Sequence, residues 1–167
     1  HDTAFLQLYG YWAAAGALRG ELRAALLRCA EPVQARFLQE HLAVLGLLED
    51  LDYTWRAPGL LELRSWPVDD APAGRLCAEW FWRLGTQQMR HALLGMAVDS
   101  DCAQQQALLT VHTRCARTRD DVVLAGLMAG YAARSSRSPR GWAVALSLDA
   151  QAAEPRLRTK EHVRQVT

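Results

Sequence analysis

Apolar residues recur at three- and four-residue spacing along most of the chain, as they do in helices with one buried face. Over 3–29, Leu8, Trp12, Ala15, Leu22, Leu26 and Cys29 form such a stripe. Gly20 divides it into two expected helices, about 3–18 and 20–29. Glu31-Pro32 then marks a helix start, with proline in the first turn, where its missing N–H is no loss. Val33, Phe37, Val44, Leu48 and Leu51 give this helix one face to about residue 53, and Pro58-Gly59 stops it. The periodicity then lapses over 54–72. This stretch has room for a short extended piece at 61–66, followed by a loop containing Pro67, Asp69-Asp70 and Pro72, so 57–72 is the expected seam.

The second half predicts helices over about 74–97, 102–117 and 121–134. Asp101 with Gln104 resembles a capping box, and Asp120-Asp121 places acids where a helix N-terminus favours them. Trp142, Val144, Leu146 and Leu148 alternate with small residues, the period of a strand, whereas Ser138-Pro139 reads as a helix start. Strands need partners and few other strand signals are visible, which favours helix. Together these elements predict an all-α fold, an antiparallel bundle or short α-solenoid of about six to eight helices. It forms one helical domain over 1–153 with a charged tail over 154–167, and no clean internal repeat stands out.

The densest aromatic stretch is CAEWFWRLGTQQMRHALLGM, residues 77–96. On a helical wheel Trp80 groups with Leu84, His91 and Leu94, Trp82 groups with Met89, Leu93 and Met96, and Phe81 bridges the two sets. A helix apolar over most of its circumference is interior or has a second packing partner. Trp82, Met89, Leu93 and Met96 are therefore the expected partner-binding stripe. The alternative is a small-molecule pocket lined by Trp12, Trp80 and Phe81, with Gln88 and His91 as polar handles.

Composition narrows the classes. The chain has 167 residues, half of them apolar and 22% charged, which fits one globular domain rather than a disordered segment. A net charge of +1 argues against broad docking on nucleic acid. The longest apolar run, 122–133, is too short for a membrane span. No leader is visible, and the chain opens on His1, as a processed chain or a piece of a larger helical protein would. Lys160 is the only lysine, and isoleucine and asparagine are absent, the usage of a GC-rich gene. Cys29, Cys77, Cys102 and Cys115 form no CxxC pair and read as reduced thiols of an intracellular, cytoplasmic protein.

No motif demands catalysis. Arg36 and His41 in RFLQEH have the R-x4-H spacing that resembles the motif of HEPN ribonucleases, in which the histidine is acid/base and the arginine binds phosphate. That family usually carries a polar residue after the arginine; here it is Phe37. His112 and Cys115, with Cys102 and with His91 or Cys77 from the preceding helix, could offer metal ligands, yet the spacing does not require it. No glutamate is followed three residues on by histidine, and no nucleophile elbow, zincin or phosphate-loop signature appears. Gly126 and Gly130 predict a close helix crossing. RSSRSPR, 134–140, reads as a solvated basic loop. No metal or cofactor is expected. The expected function is a non-catalytic protein–protein interaction or scaffold module, binding a protein partner or a second copy of itself, with a ligand-binding, dimerising regulatory domain as the alternative.

Overall fold

The structure, a computed structural model, describes residues 2–19, 24–64, 76, 78–98 and 107–148. Its elements are α1 (Asp2–Ala15), β1 (Gly16–Arg19), β2 (Ala24–Arg28), α2 (Pro32–Val44), β3 (Tyr53–Ala57), β4 (Leu60–Leu63), a 3-10 turn (Phe81–Arg83), α3 (Thr86–Met96), β5 (Leu108–Thr113), α4 (Ala116–Met128), β6 (Ala132–Ser138) and β7 (Gly141–Ser147). The strands form two antiparallel sheets, ordered β1-β2-β4-β3 and β5-β7-β6. The all-α expectation is thus overturned: the fold mixes helices with sheets.

Each misread stretch has a physical reason. The stripe over 3–29 is helical only to Ala15; Gly16–Arg19 and Ala24–Arg28 then pair as a hairpin. Neither strand contains a β-branched residue, and alanine, leucine and arginine carry helix propensity that sheet pairing overrides. The helix expected to residue 53 ends at Val44, and 53–63 is a second hairpin. The segment 74–97 is broken at Leu84, whose extended backbone separates the 3-10 turn from α3. Residues 102–106 of the expected 102–117 helix lie outside the described residues, the rest gives way to β5 and the start of α4, and the alternation after Gly141 is a strand, β7. The 134–140 loop is largely the edge strand β6, and the 121–134 helix ends at Met128. Gly126 lies beneath the Leu146 side chain of β7 rather than at a helix crossing.

The fold repeats itself. Helix, strand, helix and hairpin occur in the order α1, β2, α2, β3-β4 and again as α3, β5, α4, β6-β7. Sheet orders β2-β4-β3 and β5-β7-β6 match. Ala25 pairs with Leu63 and Leu27 with Leu61; at equivalent places Leu109 pairs with Leu146 and Val111 with Val144, and all eight point into the core. Leu38 and Leu42 of α2 correspond to Val122 and Gly126 of α4, which are buried likewise. Each of these helices stops at a left-handed glycine, Gly46 at φ 72° and Gly130 at φ 79°. The repeat leaves no clear trace in the sequence, because few residue types are shared between the copies.

The two copies meet where α1 crosses α3. A Cβ on Gly10 would strike the Ala92 carbonyl, and a Cβ on Gly95 would strike the Gln7 carbonyl. Leu8, Tyr9, Trp12, Met89, Leu93 and Met96 fill the space around this crossing, in one core that spans both copies. At the far end of the second sheet, the Arg119 and Arg137 guanidiniums lie 4.0 and 4.1 Å from the centre of the Trp142 ring, tying α4 to β6 and β7.

Candidate functional site

A cleft of about 360 Å³ opens between α2 and the α1–α3 crossing. Its α2 wall begins with a well-made helix start. Pro32 occupies the first turn, and the Gln34 side-chain oxygen accepts hydrogen bonds from the backbone N–H groups of Ala30 (2.8 Å) and Glu31 (3.1 Å). Leu38 and Leu42 point into the core, which turns Val33, Arg36, Phe37, Glu40 and His41 toward the cleft. Gln7 of α1, Leu94 of α3 and Val98 complete the lining. The floor is therefore apolar (Phe37, Leu94, Val98) and the rim polar.

The α2 wall is held rigidly. Phe37 stacks on Tyr11, with centroids 5.5 Å apart, and His41 stacks on Phe37 at 3.9 Å. The Tyr11 hydroxyl donates to the Arg28 carbonyl. His41 Nδ1 donates to the Phe37 carbonyl at 2.7 Å, and its Nε2 is hydrogen-bonded to the Gln7 side-chain amide. Burial pushes the His41 pKa down, against the smaller opposing pull of the Phe37 carbonyl and the Glu40 charge. Arg36 and Glu40 are both exposed, and neither pairs with another described residue. The rim thus carries one positive and one negative group a helical turn apart, without an ion partner among the described residues.

The cleft brings Arg36 and His41 to one site, yet both ring nitrogens of His41 are engaged within the protein. The R-x4-H spacing pointed to this place, whereas Gln7, Leu94 and Val98 come from elements that no local motif connects. The Trp82 stripe does not assemble at the surface. Met89, Leu93 and Met96 are buried in the core, and half-buried Trp82 packs edge-on against Phe81 at 5.1 Å. Trp12, Trp80 and Phe81 do come together, through Tyr9, which lies 5.9, 4.7 and 5.8 Å from their respective rings. They form a packed cluster, with Trp12 and Phe81 fully buried. Gln88 caps α3 by accepting the Gly85 N–H at 3.0 Å, and His91 is half-buried on α3.

His112 and Cys115 are exposed, Cys29 is buried, and Cys77 and Cys102 lie outside the described residues, as do Asp69-Asp70 and the tail over 154–167. Among the described residues no three His, Cys, Asp or Glu side chains are placed to hold a metal ion. No described helix is long and apolar enough to cross a membrane. Compared with protein-family models, with curated proteins and with solved structures, the chain matches none.

Proposed function

We propose that this chain is a non-catalytic binding module whose ligand seats in the α2 cleft. The observation that carries the reading is the pairing of an apolar floor with the exposed Arg36 and Glu40 at its rim, which have no ion partner among the described residues. The volume lies at the small end of the range of small-molecule sites, where apolar walls supply affinity and a few polar groups set orientation. The internal copy supports it. The α4 positions equivalent to Arg36, Phe37, Glu40 and His41 carry Asp120, Asp121, Leu124 and Ala125, so the shared fold does not itself demand the cleft's side chains. The test is an amide-resolved NMR titration of the full chain with a library of small polar and apolar fragments. Shifts confined to α2, Gln7, Leu94 and Val98, and lost in Leu94→Trp, support the reading. A library that leaves these resonances unmoved overturns it.

A second reading, self-association, rests on α4. Leu124, Leu127 and Met128 are 50%, 55% and 44% exposed on neighbouring turns. Two copies could cover these faces against each other. Light scattering on the full chain and on Leu127→Glu tests it: a dimer mass that the variant halves supports the reading, and a monomer mass for the unaltered chain removes it.

A further inference from the structure

We propose that the cleft's ligand is a free α-amino acid with an apolar side chain, an inference that rests on the cleft being a binding site. The chemistry on the rim selects it. Arg36 and Glu40 stand one turn apart on α2, with Cβ atoms about 6 Å from each other by helix geometry. The base precedes the acid, the weaker order for a pair on a helix, and the two side chains do not meet. An α-amino acid presents a carboxylate and an ammonium on one carbon, and so offers each of them a partner at once. A simple carboxylic acid satisfies Arg36 alone and an amine satisfies Glu40 alone.

The side chain of the amino acid then falls on Phe37, Leu94 and Val98. The volume of about 360 Å³ leaves room for an amino acid with a large apolar side chain. Glycine, which leaves the floor empty, is a poor fit. His41 is already bonded to the Phe37 carbonyl and to the Gln7 side chain, so His41 and Gln7 fix the wall and add no third charge. A charged amino-acid side chain would meet no counter-charge on that floor.

The experiment is calorimetry on the full chain, with NMR shifts to place each ligand. The probes are leucine, glycine, 4-methylpentanoate, 3-methylbutylamine and N-acetyl-leucine amide. Leucine is expected to bind in the cleft, with glycine and each single-charge analogue at least ~tenfold weaker. Arg36→Gln and Glu40→Gln should each cost leucine a similar factor, and the doubly swapped Arg36→Glu/Glu40→Arg should regain most of it, since the rim again carries one charge of each sign. If 4-methylpentanoate or N-acetyl-leucine amide matches leucine in the cleft, the two-charge inference fails while the cleft remains a binding site. If no probe moves the cleft resonances, this inference fails, and the fragment titration decides whether the wider reading stands.

Discussion

Gly10 of α1 and Gly95 of α3 occupy equivalent places on two crossing helices, each against a backbone carbonyl of the other: Gly10 against Ala92, Gly95 against Gln7. The helices can approach this closely only because neither residue has a side chain. Gly10→Ala and Gly95→Ala should therefore each destabilise the fold by ~2 kcal/mol or more, since a backbone carbonyl cannot swing aside as a flexible side chain does. Urea unfolding of the two variants checks this. Because both act by forcing one crossing apart, the double variant should lose less than the sum of the two.

The paired left-handed glycines make a second comparison. At Gly46 a Cβ meets nothing within 4 Å, so Gly46→Ala should show the bare conformational cost of about 1 kcal/mol. At Gly130 the same Cβ would sit 3.1 Å from the Arg90 guanidinium. That group is held in place by donating to the Ala129 carbonyl (2.8 Å) and by lying over the Tyr131 ring. Gly130→Ala should therefore cost more than Gly46→Ala, and matched thermal or urea transitions will show the order.

A third prediction concerns the bulge in β3. The register shifts between Trp55 and Ala57, and Arg56 turns back over Glu62, bonding both carboxylate oxygens at 2.9 and 2.8 Å. The Glu62 side chain is almost fully covered, and its hydrogen bonds and charge raise the Arg56 pKa. Arg56→Met should lower the urea midpoint at pH 7 by leaving a buried carboxylate without its guanidinium. The deficit should shrink on acidification as that carboxyl takes up a proton, and Arg56→Met/Glu62→Met should recover part of the loss. An unchanged deficit between pH 7 and pH 4 would contradict this account.

The sequence made the helices more legible than the sheets. Pro32 placed the start of α2 correctly, and apolar spacing found parts of all four helices. Three strands are hidden by composition: isoleucine is absent, and GALR, AALLR and AARSSRS contain no valine or threonine to mark them, while the extended piece expected at 61–66 overlaps β4. Only β7 carries a clear period of two, and without visible partner strands that period alone does not decide against a helix. The aromatic triplet misled for a related reason. A wheel drawn through Trp80, Phe81 and Trp82 assumes one continuous helix, whereas Leu84 is extended and resets the direction before α3 begins. Of the cleft, the sequence marks only Arg36 and His41, through the R-x4-H spacing of RFLQEH; Phe37 reads there as part of an apolar helix face and Glu40 carries no signal. Leu94 and Val98, on which the depth depends, reach the cleft only through the crossing of α1 and α3.

His41 offers a way to read the cleft's integrity through pH. Its pKa is held below the ordinary histidine value of about 6.5, chiefly because the ring is half-buried against Phe37 and Gln7. The unfolded chain, with an ordinary histidine, therefore binds the proton more readily than the folded one. Above pH 6.5 both states hold a neutral ring and the contribution is fully present. As pH falls below 6.5 the unfolded state takes up its proton first and stability declines, until the folded pKa is passed and the loss levels off. His41→Gln removes the titrating group but keeps a polar side chain facing Gln7. Urea midpoints for the unaltered chain should thus fall more steeply between pH 7.5 and pH 5 than those of His41→Gln. Parallel slopes would mean that His41 titrates alike in both states, and the wall that Phe37 and Gln7 build around it would have to be looser than the geometry shows.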